Sequence, residues 1–115
     1  MSTSDAYAGR YMVMVGDTMK RLFPRLQQRY PWLVGRFFIG SFSGSPDDMW
    51  IYFYPDTTQR RTQCLTSEVE ADIRAITCEE LIASGYPSPS LGSLKIEYPS
   101  QEEVDAAGGS YEFFR

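Results

Sequence analysis

Two adjacent carboxylates, Asp47 and Asp48, follow the turn sequence Ser43-Gly44-Ser45-Pro46. Paired carboxylates suit a hard divalent cation, which takes oxygen ligands. No further oxygen ligands stand at a fitting spacing, so the favoured reading is turn chemistry. The same Gly-Ser-Pro segment lacks the lysine and spacing of a phosphate loop, and its carboxylates would repel phosphate.

The chain contains no histidine. The commonest general base, proton shuttle and metal ligand is therefore missing, and neither a Ser-His-Asp nor a Cys-His site can be built from this chain alone. Its two cysteines, Cys64 and Cys78, make neither a disulfide framework nor a zinc set. They read as free thiols acting as small hydrophobes. Cys64 would be a nucleophile only if a base or a helix terminus lowered its pKa. No cofactor is implied.

Charge is more informative. The net charge is −4, with eight Lys/Arg against five Asp/Glu in residues 1–61 and three against ten in residues 62–115. Arg21, Arg25 and Arg29 repeat every four residues along one helical face. Such a stripe can meet phosphates, yet the acidic balance points instead to a solvated face, salt-bridged to an acidic helix. The acids are Glu68, Glu70, Asp72, Glu79, Glu80, Glu102, Glu103 and Asp105. Several of them sit where helix N-termini favour negative charge. The remainder would steer the molecule toward a basic partner and away from nucleic acid or anionic lipid.

These groups must be held by elements that the residue pattern delineates. The centre is Phe37–Tyr54, two aromatic and β-branched runs around a Ser/Gly/Pro/Asp loop, which read as paired antiparallel strands. Alternation sets Trp50, Tyr52 and Tyr54 on one face and Met49, Ile51 and Phe53 on the other, as in a central strand. Gly35 is a candidate bulge. Before this pair, Tyr7, Tyr11, Met14, Val15, Thr18, Met19, Leu22 and Leu26 recur at helical spacing, predicting a helix through Tyr30 despite Gly9, Gly16 and Pro24. The competing reading makes Tyr11–Val15 a strand, which would give a ferredoxin-like βαββαβ order.

After Pro55, the polar run 56–66 is a loop or a fraying helix start. Ser67 and Glu70 form a capping-box pattern opening a second helix, with Val69, Ile73 and Ile76 buried, a bend or tightening expected near Thr77–Glu79, and Gly85 as its stop. Leu94–Tyr98 alternates as a half-buried strand. Ser100 and Glu103 open a short helix, closed by Gly108-Gly109, with Val104 and Ala107 inward. Tyr111–Phe114 reads as a last strand. The order α-β-β-α-β-α(short)-β describes one α+β domain spanning residues 1–115. It has a mainly antiparallel sheet of about four strands and two main helices on one face. With neither a leader pattern at the N-terminus nor a run of membrane-spanning length, the expected location is cytosolic.

A compact acidic α+β chain without catalytic equipment resembles, in general build, the toxin-neutralising immunity proteins. The resemblance implies a non-catalytic, protein-binding module that blocks a basic, nuclease-like toxin. The candidate binding residues read here are the acids Asp47, Asp48, Glu68, Asp72 and Glu79, with Trp50 and Tyr54 as aromatic anchors. The expected state is a monomer or weak homodimer. Three alternatives stay open: a ligand-binding or enzymatic domain with an aromatic-lined pocket, a homo-oligomer pairing through a sheet edge, and a regulator encoded beside its partner.

Overall fold

The computed structural model of the chain describes residues 3–40, 44–109 and 113. Its first element is a helix, α1 (Thr3–Arg29). Val15, Thr18, Met19, Leu22 and Leu26 are buried along one stripe. That stripe settles the helix-or-strand question at residues 11–15: they are helical, and the ferredoxin-like order falls with them. The helix runs through Pro24, which is exposed. The buried stripe on both sides of Pro24 offsets the roughly 3 kcal/mol that an internal proline costs.

The strands β1 (Leu33–Gly40) and β2 (Met49–Pro55) pair antiparallel. The register shifts between Leu33 and Gly35, so the expected bulge is there. On the inner face, Met49, Ile51 and Phe53 are fully buried. The Phe23 ring of α1 stacks on Phe53 at 6.5 Å, and Gly16 leaves room for the Phe38 ring. Each such side chain contributes roughly 1.5–3 kcal/mol of apolar burial.

One short helix and the start of a longer one correct the sequence reading of residues 56–70. Residues 58–64 form a separate helix, α2 (Thr58–Cys64), capped by the Thr57 side chain, which accepts from the Arg60 N–H. The next helix, α3 (Ser67–Ala83), has Thr66 rather than Ser67 at its N-cap position, without a side-chain capping bond. The Thr66 hydroxyl donates to the Gln63 carbonyl at 2.8 Å, and Glu70 lies against Arg74. α3 is assigned as α-helix without interruption through Thr77–Glu79, where the Thr77 hydroxyl is buried and donates to the Ile73 carbonyl at 2.7 Å. The end of α3 follows expectation. Gly85 has φ 96°, and the N–H groups of Gly85 and Tyr86 return to the carbonyls of Ile82 and Leu81 at 3.0 Å each. This is a Schellman closure, which needs a left-handed residue at that point.

A 3-10 turn at Ser88–Ser93 leads into β3 (Lys95–Glu97), and α4 (Gln101–Ala106) follows with the expected Ser100–Glu103 capping box. Leu94, Ile96 and Tyr98 are buried while Lys95 and Glu97 are exposed, as the alternation predicts. Val104 is buried but Ala107 is exposed.

The sheet is three-stranded and mixed among the described residues, in the order β1-β2-β3. β3 runs parallel to β2, against the antiparallel expectation. The chain leaves β2, crosses through α2 and α3, and returns in the same direction, as a parallel pair requires. Of the predicted fourth strand, Tyr111–Phe114, only Phe113 is among the described residues; it is helical, and its N–H bonds the Gly109 carbonyl at 3.0 Å. The architecture is thus α+β. Buried side chains from α1, all three strands and α3 meet in one core cluster.

Candidate functional site

The pairing register brings Phe37 opposite Tyr52 and Ile39 opposite Trp50, with Lys95 and Glu97 beyond them on β3. These side chains share the outer face of the sheet, away from α1. Phe37 and Tyr52 have ring centroids 6.1 Å apart, and Trp50 stacks on Tyr52 at 6.4 Å with planes 11° apart. The Lys95 ammonium lies 4.8 Å from the Trp50 ring centroid, within cation–π range. Phe37 and Ile39 are each 38% exposed. The result is an aromatic row, partly open, rimmed by one cation and one carboxylate.

Where that row ends at β3, a cavity of about 530 Å³ opens, lined by Tyr52, Glu97 and Tyr98 of the sheet side and by Arg61, Glu70 and Glu103 of the helices. Each helical residue is placed by a local device. Arg61 is fixed by its Nε, which donates to the Tyr98 carbonyl at 3.1 Å and lies 3.6 Å from Glu103. Glu103 closes the capping box of α4. Glu70 stands 3.4 Å from Arg74, one turn on in α3. Burial foremost, then Glu97, raises the pKa of Tyr52. Burial and then Glu70 push Tyr98 far above the usual tyrosine range. The Tyr98 hydroxyl is buried, and the Glu70 carboxylate is its hydrogen-bonding neighbour.

The residues singled out from sequence fall into three places. Asp47 and Asp48 are exposed in the β1–β2 turn. That turn is held through the Ser45 carbonyl and hydroxyl, which accept from the Asp48 and Asp47 N–H groups at 3.3 and 3.2 Å. The Tyr86 hydroxyl donates to the Pro46 carbonyl, and burial, Asp47, Tyr11 and Asp48 together push Tyr86 up to about 12. Trp50 lies in the aromatic row. Tyr54 is on the same face but buried, 5% exposed, packed over Gly35, so it is no exposed anchor. Glu68 is exposed in the first turn of α3.

Asp72 and Glu79 are engaged in ion pairs with arginines of α1. Asp72 pairs with Arg29 at 3.0 Å and accepts from the Tyr30 hydroxyl at 2.6 Å. Arg25 pairs with Glu79 at 3.3 Å and with Glu80 at 3.0 Å. The arginine stripe of α1 therefore meets the acids of α3, as the charge pattern suggested. Glu80 interrupts the apolar stripe because it belongs to this seam. The acids that line open space are Glu70, Glu97 and Glu103. Alternation in 94–98 had marked Glu97 as outward, but only the parallel register shows it beside Tyr52.

The thiols are placed for packing. Cys64 is fully buried, and burial with Glu70 pushes it up to about 12, which leaves almost no thiolate at neutral pH. Burial likewise raises Cys78. Among the described residues no group of three or more His, Cys, Asp or Glu could hold a metal ion, and no helix is long and apolar enough to cross a membrane.

The site thus defines an α+β module with an aromatic sheet face and a carboxylate-lined cavity at its edge. No family model, curated protein or solved structure matches the chain.

Proposed function

We propose that the chain is a non-catalytic protein-binding module that engages a basic protein through the outer face of its sheet, in the manner of an inhibitor neutralising a nuclease-like toxin. The observation that carries this reading is the stacked row Phe37–Tyr52–Trp50 with Ile39 beside it, running into a cavity that gathers Glu70, Glu97 and Glu103. Aromatic side chains in a partly covered patch supply contact energy, and neighbouring carboxylates supply steering and orientation. The acidic balance of residues 62–115 acts in the same direction.

The test is affinity capture of the tagged chain from its native cells at low and then high salt. A basic protein should be recovered at low salt and lost as salt rises. It should also be lost from the Phe37→Thr, Ile39→Thr double variant. Recovery of the chain alone, or capture indifferent to that variant, overturns the reading.

A further inference from the structure

β1 is an edge strand in the order β1-β2-β3, and it is longer than either β2 or β3. Its first residue is closed off. The Leu33 N–H donates to the Tyr30 carbonyl at 3.0 Å, and Gln27 Nε2 donates to the Leu33 carbonyl at 2.9 Å. Beyond it, in Val34–Arg36 and Phe38–Gly40, no backbone group bonds anything but β2 among the described residues. Proteins blunt such edges with prolines, charges, bulges or a covering element. Here the bulge sits at the very start and Arg36 is the one charge. Val34 is 47% exposed, so the edge is apolar as well as unpaired.

A second observation is independent of the backbone. Alongside this edge runs a groove of about 520 Å³, lined by Met12 and Phe23 of α1 and by residues 34–38 of β1. α1 lies beneath β1, with Gly16 under the Phe38 ring and Phe23 under Arg36. The Arg36 guanidinium is exposed, makes no ion pair among the described residues, and rests 5.4 Å from the Phe23 ring centroid. An extended segment laid along β1 would turn alternate side chains into this groove and onto the outer face. A side chain across from Phe38 would meet apolar walls, and one across from Arg36 would meet a cation.

We infer that the β1 edge takes an extended segment of a partner protein as a further antiparallel strand. From its N-terminus the segment reads apolar, apolar, acidic. The first side chain faces Phe38 in the groove, the second stands beside Phe37 on the outer face, and an Asp or Glu meets Arg36. Backbone bonds supply the affinity, and the two groove positions supply the selection. A second copy of this chain fits the edge poorly. Twofold pairing would set the two β1 strands about 4.8 Å apart and draw the α1 beneath each to nearly the same spacing, whereas packed helices stand about 8–10 Å apart. The edge is separate from the acid-lined cavity, and a strand can dock on it whether or not a basic protein covers the outer face.

The experiment follows the full chain by ¹H–¹⁵N NMR during titration with a capped peptide, a Val-Ile-Glu core flanked by threonines. Saturable shifts centred on the amides of residues 34–40 are expected. Two further peptides carry N-methyl groups on alternate amides, one on each set. A strand ladder bonds through every second residue, so one of these should lose binding and the other keep it. Arg36→Gln in the chain, or glutamine for glutamate in the peptide, should weaken binding about tenfold, the size of one charge-assisted hydrogen bond. The matched change Arg60→Gln on α2 should do nothing. Absence of saturable shifts at millimolar peptide, the same response to both N-methyl patterns, or indifference to the loss of either charge overturns the docked strand. Sedimentation of the chain alone covers the other occupant. A monomer at all concentrations supports a partner's segment, whereas a dimer that the peptide dissolves would assign the edge to a second copy and overturn it.

Discussion

Gly35 and Tyr54 face each other across the β1–β2 ladder with no room for one more carbon: a Cβ on Gly35 would lie 2.7 Å from Tyr54 Cδ2 and 3.4 Å from Cγ. Tyr54 is buried and cannot step aside. Gly35→Ala should therefore cost about 1–3 kcal/mol, as overpacking does. Gly40 offers the contrast. Its Cβ would also meet an atom at 2.7 Å, but that atom is Met12 Sδ, part of a flexible side chain that can turn away. Gly40→Ala should cost markedly less. Urea denaturation of both variants decides the matter, and equal losses would show that Tyr54 is not a fixed wall.

What the sequence disclosed was mostly local. The Schellman closure at Gly85, the capping box at Ser100–Glu103 and the alternation of Leu94–Tyr98 each depend on residues within one turn or one strand, and all three are present. The cap of α3 fell on Thr66 instead of Ser67, a one-residue choice that side-chain preference hardly distinguishes. The direction of β3 was not legible, because it is set by the path through α2 and α3 and not by the strand itself. The same holds for the site. Alternation put Trp50, Tyr52 and Tyr54 on one face, but the burial of Tyr54 depends on its partner Gly35. Glu70, Glu97 and Glu103 come from three elements, and only the crossover brings them together.

Asp72 joins α3 to the end of α1 through both Arg29 and Tyr30. Asp72→Ala removes an ion pair and a short hydrogen bond that are half-buried, so a loss of about 1–2 kcal/mol is expected. The Asp17 carboxylate, by contrast, meets the exposed Lys20 at 3.9 Å, and Asp17→Ala should change stability by no more than about 0.5 kcal/mol. A double-mutant cycle of Asp72→Ala with Tyr30→Phe should show coupling. Strict additivity of the two would mean that the hydroxyl and carboxylate act separately.

Tyr86 ties the packed end of α3 to the β1–β2 turn through the Pro46 carbonyl. Its folded pKa is raised from 10.0 to about 12, chiefly by burial and then by Asp47. A raised pKa means that the folded state holds the proton more tightly than the unfolded chain. The stability it represents is complete below the unfolded value of 10.0 and is lost as pH rises from there through about 12. Cys64, raised from 9.0 to about 12, acts in the same direction from a lower onset. Stability measured by urea titration should therefore fall between about pH 9 and pH 12. Tyr86→Phe should begin about 1 kcal/mol lower at neutral pH, from the lost hydrogen bond, and should then decline less steeply. An unchanged slope would show that Tyr86 ionisation is not linked to unfolding.

The outer sheet face separates folding from binding. Phe37 and Ile39 are each 38% exposed, and neither belongs to the core cluster formed by Met49, Ile51 and Phe53 on the opposite face. Threonine is β-branched and so suits both strand positions. Phe37→Thr with Ile39→Thr should cost about 1 kcal/mol or less of stability each. Removal of hot-spot side chains from a contact surface costs about 2 kcal/mol or more, so affinity for the captured partner should fall by roughly thirtyfold or beyond. Charge variants behave differently. Glu79→Gln sits on the α1–α3 seam with Arg25 and should leave the complex intact, whereas Glu97→Gln should slow association and blunt its salt dependence. Surface plasmon resonance of the four proteins distinguishes the outcomes. If Glu79→Gln weakens the partner as much as Glu97→Gln does, the contact surface lies on the helices and not on the sheet.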